Sequence, residues 1–321
     1  MYHVYDPSTK ITLFSEITGT TFTWSKPICK WVHIVICGGG VGGGSGSVAG
    51  NRLSGGGGGG ASGTQGHILI PSFLCPDTLF VQLGAGGTGG AARTGADGNG
   101  FSGTAGGTTS VSLDNSFGVQ SLLLTATGGG GGGPGTTTGT GGAGGTAPTP
   151  PATTFTTIPF SGLSGWRTSL TSLIGAGNVG TAGGNERTAG TTKNIDSQGA
   201  ANFVLGGTGG GAAGELTDPA NSGGVNAVTL PSGSWQRGVL GGTAAARDGQ
   251  PGERYDHMPG IFVVGGTGGA STPAGVTGQT AGTGGRGVLG SGGGGGGAGY
   301  TGNTSGAGGA GGVGFVLIAT F

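Results

Sequence analysis

Six glycines in a row occur three times in this chain, at residues 55–60, 128–133 and 292–297. Glycine loses more backbone freedom on folding than any other residue and has no side chain to bury, so such a run suits neither a helix nor an ordinary core. Two outcomes remain. The runs are flexible linkers, or their bare backbones are themselves the packing surface. Composition favours the second, because disorder goes with high net charge and few apolar residues. Here 12 Lys and Arg balance 12 Asp and Glu, and 33% of the residues are hydrophobic. With 90 glycines among 321 residues, about four times the usual ~7%, a packed structure has to be built largely from glycine.

Collagen needs glycine at every third place with abundant proline. That phase breaks repeatedly in this chain, and only 14 prolines occur. The remaining ordered form is a bundle of extended threefold helices with polyproline II geometry, rising about 3.1 Å per residue, so that six glycines reach about 19 Å. One such helix has no internal hydrogen bonds. In a bundle without Cβ atoms, each N–H meets a carbonyl of a neighbouring helix, and Cα–H···O contacts add about 0.5 to 1 kcal/mol each. Gly57, Gly130 and Gly294, one in each long run, are read as scaffold. The lattice must be nearly complete, since unpaired buried groups are costly, so valine at Gly130 or Gly294 is expected to destabilise strongly.

A short phrase recurs in which apolar residues pass directly into glycine. It occurs as VICGGG (35–40), FVQLGAGG (80–87), LLTATGG (123–129), FVLGGTG (203–209), VLGGT (239–243), IFVVGGTG (261–268) and VLGSGG (288–293). The spacing is irregular, which excludes a solenoid of fixed period. In WVHIVIC (31–37) both alternating faces are largely apolar, the pattern of a strand covered on both sides. FVLI (315–318) is similar, and pairing the two would clamp the bundle at its base and bring the chain ends together. HILI (67–70), LFVQL (79–83), TSVSL (109–113) and LLL (122–124) add strands. The expected fold is mainly β and irregular, with a clamp or sandwich of short strands, a bundle of polyglycine II helices linked by loops, and essentially no α-helix.

Several function classes are disfavoured. Balanced charge and only four lysines argue against nucleic acid or an anionic membrane surface as partner. The longest apolar stretch, at 31–37, is far short of the ~20 residues that span a bilayer, so no membrane insertion is expected. The start MYHVYDPS lacks a basic segment followed by an apolar one, so no secretory signal is read and synthesis in the cytoplasm is expected. Cys29, Cys37 and Cys75 form no CxxC, which disfavours a disulfide framework or a zinc site, and Cys37 is read as a small buried hydrophobe.

No nucleotide-binding or hydrolase motif stands out. GxGxxG matches carry no information at this glycine content, no lysine follows a glycine, and no GxSxG is present. His3, His33, His67 and His257 are scattered, and His33 and His67 are read as structural. Asp248, Glu253, Asp256 and His257 offer ligands for a hard cation, but their spacing fits no known loop and a solvated loop is the better reading. Asp97 to Gly100 is read as a turn. No catalytic residue, cofactor or metal is expected.

The stretch TFTWSKPICKWVHIVICGGG (21–40) resembles the opening of the glycine-rich domain of bacteriophage tail-fibre proteins and tip adhesins. VQLGAGGTGG (81–90), GGTTSVSLDNSFG (106–118) and the terminal GVGFVLIA (312–319) are similar as well. The likeness covers about residues 21–145 and 285–321, and the middle only through its glycine repeats. It implies a virion component at the end of a fibre or tail, with loops between polyglycine rods held against a bacterial receptor. Residues 1–20 match no known attachment module and are read as an N-terminal arm, with a glycine-rich domain at 21–321.

Function is expected in the loops that interrupt the glycine, at about 146–174 and 226–260. Phe155, Phe160, Trp166 and Arg167 in the first, and Trp235, Arg237, Tyr255 and His257 in the second, are the receptor-binding candidates, since aromatic and Arg side chains are enriched at binding hot spots. The expectation is a noncatalytic virion protein, made in the host cytoplasm, that attaches to a glycan or outer-membrane protein and to other virion proteins. A homotrimer is expected, as is common for fibres. The alternatives are a capsid decoration or spike protein and, more remotely, a bacterial surface protein.

Overall fold

The computed structural model describes residues 9–15, 18–50, 53–118, 121–146, 242–255, 262–273 and 275–321. Between 147 and 241 it describes 174–175, 183, 193–195, 223–224, 226–229 and 236–239. No α-helix occurs among them; a 3₁₀ turn at Ser72–Leu74 is the only helical element. The protein is mainly β, in two parts: a sandwich of short strands and a bundle of glycine rods that grows out of it.

The strands, in chain order, are β1 (Lys10–Phe14), β2 (Thr21–Ser25), β3 (Trp31–Cys37), β4 (Val48–Ala49), β5 (Gln65–Pro71), β6 (Thr78–Gln82), β7 (Thr109–Ser112) and β8 (Leu122–Ala126). They continue with β9 (Ile174–Gly175), β10 (Lys193–Ile195), β11 (Asn226–Thr229), β12 (Gln236–Val239), β13 (Arg254–Tyr255), β14 (Phe262–Val263), β15 (Gly299–Tyr300) and β16 (Phe315–Thr320). One sheet runs β1-β16-β3-β5-β9 and the other β2-β6-β7-β8. The clamp expected from the two ends is present: β16 pairs antiparallel with β3 from Phe315↔Cys37 to Thr320↔Val32. β1, within the segment read as an arm, pairs with the other edge of β16 and so belongs to the sandwich.

Between the sheets lies one apolar core. It takes Val32, Ile34 and Ile36 from β3, Ile68 and Ile70 from β5, and Val316 and Ile318 from β16, against Trp24, Leu79, Val81, Val111 and Leu124 of the second sheet. The side where edges β1 and β2 meet is closed by Phe14 and Phe22, whose ring centres are 5.5 Å apart. The TWSKP entry shapes the far end. Trp24 is core, and the Lys26 ammonium donates to the carbonyls of Ser72 and Cys75 and pairs with Asp77 at 3.0 Å, which fixes the 3₁₀ turn.

The expectation that β3 is covered on both faces holds only near the rods. There Cys37 and Phe315 are buried with Val263, and Val35 packs against them. Farther out, Trp31 is 37% exposed and its sheet neighbour Leu69 42%, because the rods begin only after Cys37 and no described segment lies over that end.

The rods hold together chiefly by main-chain bonds, with a three-residue repeat. In the rod at 38–47, the N–H groups of Gly38, Val41, Gly44 and Ser47 donate to Thr64, Ala61, Gly58 and Gly55. Those of Gly39, Gly42 and Ser45 donate to Gly107, Thr104 and Phe101, and those of Gly40, Gly43 and Gly46 to Gly312, Gly309 and Gly306. All N···O distances fall between 2.8 and 3.3 Å. Partner numbers fall as rod numbers rise, so the rods at 55–64, 98–107 and 305–314 run antiparallel to it. Its carbonyls accept from Gly87 and Gly90, from Gly132 and Gly135, and from Gly293, Gly296 and Gly299. These numbers rise together, so the rods at 84–92, 128–135 and 291–299 run parallel. Six rods surround one, and every N–H of the central rod is paired. A threefold extended helix has this repeat.

Outer rods carry a side chain at every third residue on the solvent side. Ala85, Thr88 and Ala91 are exposed between buried Gly84, Gly87 and Gly90, and Thr140, Ala143 and Thr146 follow the same rule. Inner rods have no such residue: 38–47 and 55–64 are buried throughout. Their few hydroxyls bond across the bundle, as when Ser47 donates to the Thr136 carbonyl at 2.8 Å and Ser54 to that of Gly299 at 2.9 Å.

The three scaffold glycines are not equivalent. A Cβ at Gly57 meets the Gly44 carbonyl and one at Gly294 the Thr267 carbonyl, both rigid backbone, whereas at half-buried Gly130 it meets first the Thr146 hydroxyl. The expected strong effect therefore applies to Gly294 and is weaker at Gly130. Gly294→Ala should cost at least about 3 kcal/mol, since several buried donors lose partners at roughly 1–3 kcal/mol each, and Gly130→Ala about 1 kcal/mol. Urea melts of the two variants check this; equal losses would show that backbone contact does not set the cost.

Candidate functional site

The rods run between two ends, and loops leave from both. At the end away from the sandwich, the described turns gather around Asp97. The Gly50 N–H donates to its Oδ2 at 3.1 Å and the Thr301 hydroxyl to its Oδ1 at 2.6 Å. One exposed carboxylate thereby ties three loops that lie far apart in sequence. The turn itself is formed by Gly95, whose φ of 65° suits glycine, and by Arg93, which donates to the carbonyls of Ala96 and Asp97. Arg93 also lies 6.0 Å from the centre of the Phe101 ring, which is 46% exposed. Beside this, buried Asn303 accepts from the Gln279 N–H and donates to the Val276 carbonyl and the Thr272 hydroxyl, holding the turn that presents Val276, 41% exposed. This end is a lattice of hydrogen-bonded turns that displays Arg93, Asp97, Phe101 and Val276.

Reading Asp97 as a simple turn residue misses this role. The sequence signal for it is faint: a carboxylate in a glycine turn, with its partners about fifty residues before it and two hundred after.

Of the receptor-binding candidates, Phe155, Phe160, Trp166, Arg167, Trp235 and His257 lie outside the described residues. Arg237 is placed in β12, opposite Val228, and Tyr255 in β13, opposite Phe262. The described ends of the first insertion, and the Glu253 part of the second, lie toward the sandwich. The Thr146 carbonyl accepts from Gly130, four residues beyond β8, and β9 pairs with Gln65 and Gly66 of β5. Glu253 accepts from Val264, next to the buried Val263 that packs on Phe315. These roots therefore stand at the sandwich end and the Asp97 turns at the other, where the 243–246 turn of the second insertion also lies, since Arg247 donates to the Thr280 carbonyl and to the Gln279 side chain.

Of the cation candidates, Asp256 and His257 lie outside the described residues. The Asp248 carboxylate takes the Thr283 N–H at 2.8 Å and its hydroxyl at 3.0 Å, which makes it a tie between rods. Among the described residues, no group of three or more His, Cys, Asp or Glu side chains could hold a metal ion. Cys37 is fully buried and its thiol is pushed far above its usual range by desolvation; burial pushes Cys75 up to about 11. The structure does bring together His33 and His67, on adjacent strands of the outer sheet face, with ring centres 5.7 Å apart.

A scan of the chain against protein-family models finds no match, and a comparison with curated proteins finds none either.

Two outcomes are expected. Asp97→Ala should leave the melting transition within about 1–2 kcal/mol of wild type, because the carboxylate is exposed. It should speed amide exchange at Gly50 while leaving the central rod protected. Unchanged exchange at Gly50 would remove Asp97 as the tie.

Although the His67 side chain reaches solvent, desolvation by the atoms packed around it holds its imidazole below the usual value of 6.5. The folded state then binds fewer protons than the unfolded chain, so the stability from this group is full above about pH 6.5 and is lost as the pH falls below it. Urea melts between pH 7.5 and 5 should show a smaller loss in His67→Gln than in wild type; a steeper one would reverse the assignment.

Proposed function

We propose that this is a noncatalytic bacteriophage virion protein, a tail-fibre or fibre-tip adhesin that uses a glycine scaffold to present loops to a bacterial surface receptor. The observation that supports it most is the central rod at 38–47, with every N–H bonded and six rods around it. Among the described residues, the inner rods at 38–47 and 55–64 are buried throughout and leave no space between them for a ligand. What such a body offers is stiffness, with turns and loop roots fixed at its ends. Loops held on a stiff base lose less entropy on binding, and several of them on one body, or on a homotrimer, add avidity.

The receptor, a glycan or an outer-membrane protein, is met by Phe155, Phe160, Trp166, Arg167, Trp235, Arg237, Tyr255 and His257. Attachment to other virion proteins has a place as well. Ile28 and Phe73 stand exposed at the end of the sandwich away from the rods, beside Trp31 and Lys30. Exposed apolar surface of this kind marks contact with another protein.

The test is competition. Purified protein, incubated with host cells before the particle is added, should block adsorption. Trp166→Ala and Trp235→Ala should weaken the block about tenfold or more each, a hot-spot loss of at least about 1.4 kcal/mol, with melting unchanged. Protein that neither binds the cells nor slows adsorption would refute the adhesin reading.

A further inference from the structure

We propose that the outer face of the five-stranded sheet binds a late first-row divalent ion, such as Zn²⁺, between His33 and His67. The register pairs His33 with Leu69 and His67 with Val35, so the two histidines are diagonal neighbours on adjacent antiparallel strands. Diagonal neighbours are within reach of long side chains. Their ring centres are 5.7 Å apart, with the planes tilted by 58°.

That separation fits a shared ion. A metal–nitrogen bond of about 2.0–2.1 Å puts the ion roughly 3.2 Å from each ring centre. Two imidazoles on one ion then have ring centres roughly 5.2 Å apart at a tetrahedral angle and roughly 6.4 Å apart in line. The observed value lies between. One ring nitrogen of each histidine suffices, and the other remains for a hydrogen bond that orients the ring.

The surroundings select the kind of ion. Among the described residues, the same face carries Ile11 and Leu13 from β1, Leu317 and Ala319 from β16, Trp31 and Val35 from β3, and Leu69 and Pro71 from β5, with Cys37, Gln65 and Phe315 buried toward the rods. None of them is charged. With no carboxylate among those described residues, the pair does not suit calcium or magnesium, which take oxygen ligands. Imidazole suits zinc, copper and nickel. His67 is exposed, so an ion can enter from solvent. Two protein ligands leave two positions of a tetrahedral ion for water or for side chains of another molecule.

The test is calorimetric titration of the full chain with ZnCl₂ at pH 7.5, with melting recorded for each variant. One ion per chain is expected. His33→Ala and His67→Ala should each weaken it at least about tenfold, the loss that even an outer-shell change produces, while His257→Ala and Cys29→Ser bind as wild type. His67 is exposed, so its variant keeps the question answerable if His33→Ala fails to fold. No heat of binding at millimolar Zn²⁺, or binding that survives His67→Ala and disappears in Cys29→Ser or His257→Ala, overturns the proposal.

Discussion

Backbone hydrogen bonding between rods is the interaction on which the rest of this structure depends. In an ordinary domain the main chain satisfies itself inside helices and sheets while side chains fill the interior. Here the order is inverted. An extended threefold rod pairs none of its own N–H groups, so every donor must be met by a different rod, and most contacts between inner rods are made where no Cβ intervenes. Built at Gly43, Gly57, Gly60, Gly293 or Gly296, a Cβ falls on a carbonyl of a neighbouring rod. Glycine is thus the packing residue rather than a source of freedom. Its entropic cost is offset by the bonds to neighbouring rods that its bare backbone allows.

A lattice of this kind lacks information about register. A glycine rod shifted by three residues presents the same pattern, and weak register in glycine-rich segments invites slippage. Three devices remove the ambiguity. The sandwich fixes where rods begin, because β3 runs directly into the rod at 38–47 and the rod at 305–314 runs directly into β16, with Cys37 opposite Phe315. Buried hydroxyls choose particular partners: Ser45 accepts from the Phe101 N–H and Thr109 from that of Gly84. The Asp97 tie fixes the opposite end. The apolar core and the polar ties thus serve the same end from opposite sides.

These roles differ in how well the chain announces them. The strands were legible because alternation and apolar runs survive beside glycine, and the pairing of the two ends followed from their mirrored composition. The six-glycine runs gave the existence of the bundle but not its centre. That position falls to 38–47, where Val41, Ser45 and Ser47 interrupt the glycine, while the run at 128–133 is half-buried. What marks an inner rod is the absence of an exposed residue at every third place, as the spacing of Ala85, Thr88 and Ala91 marks an outer one. The Asp97 turns were not legible, since their partners meet only once the rods are in place. Nor was the nearness of His33 and His67, which depends on the register of β3 with β5.

The same topology accounts for stiffness. Rods that touch are far apart in sequence: 38–47 bonds to 305–314, and Ser54 reaches Gly299. No early fragment contains a complete set of neighbours, so the lattice closes only when the last rod arrives, and such long-range order folds slowly. Once closed, it resists opening for the same reason, because moving one inner rod breaks bonds to several others at once, each exposing a buried polar group. Local unfolding, the usual source of loop mobility, is therefore suppressed at the loop roots. A segment tied to Thr146 or to the turn at Asp97 is anchored on a base whose opening requires the whole bundle to give way, and this sets how far any contact made by such a segment can be preorganised.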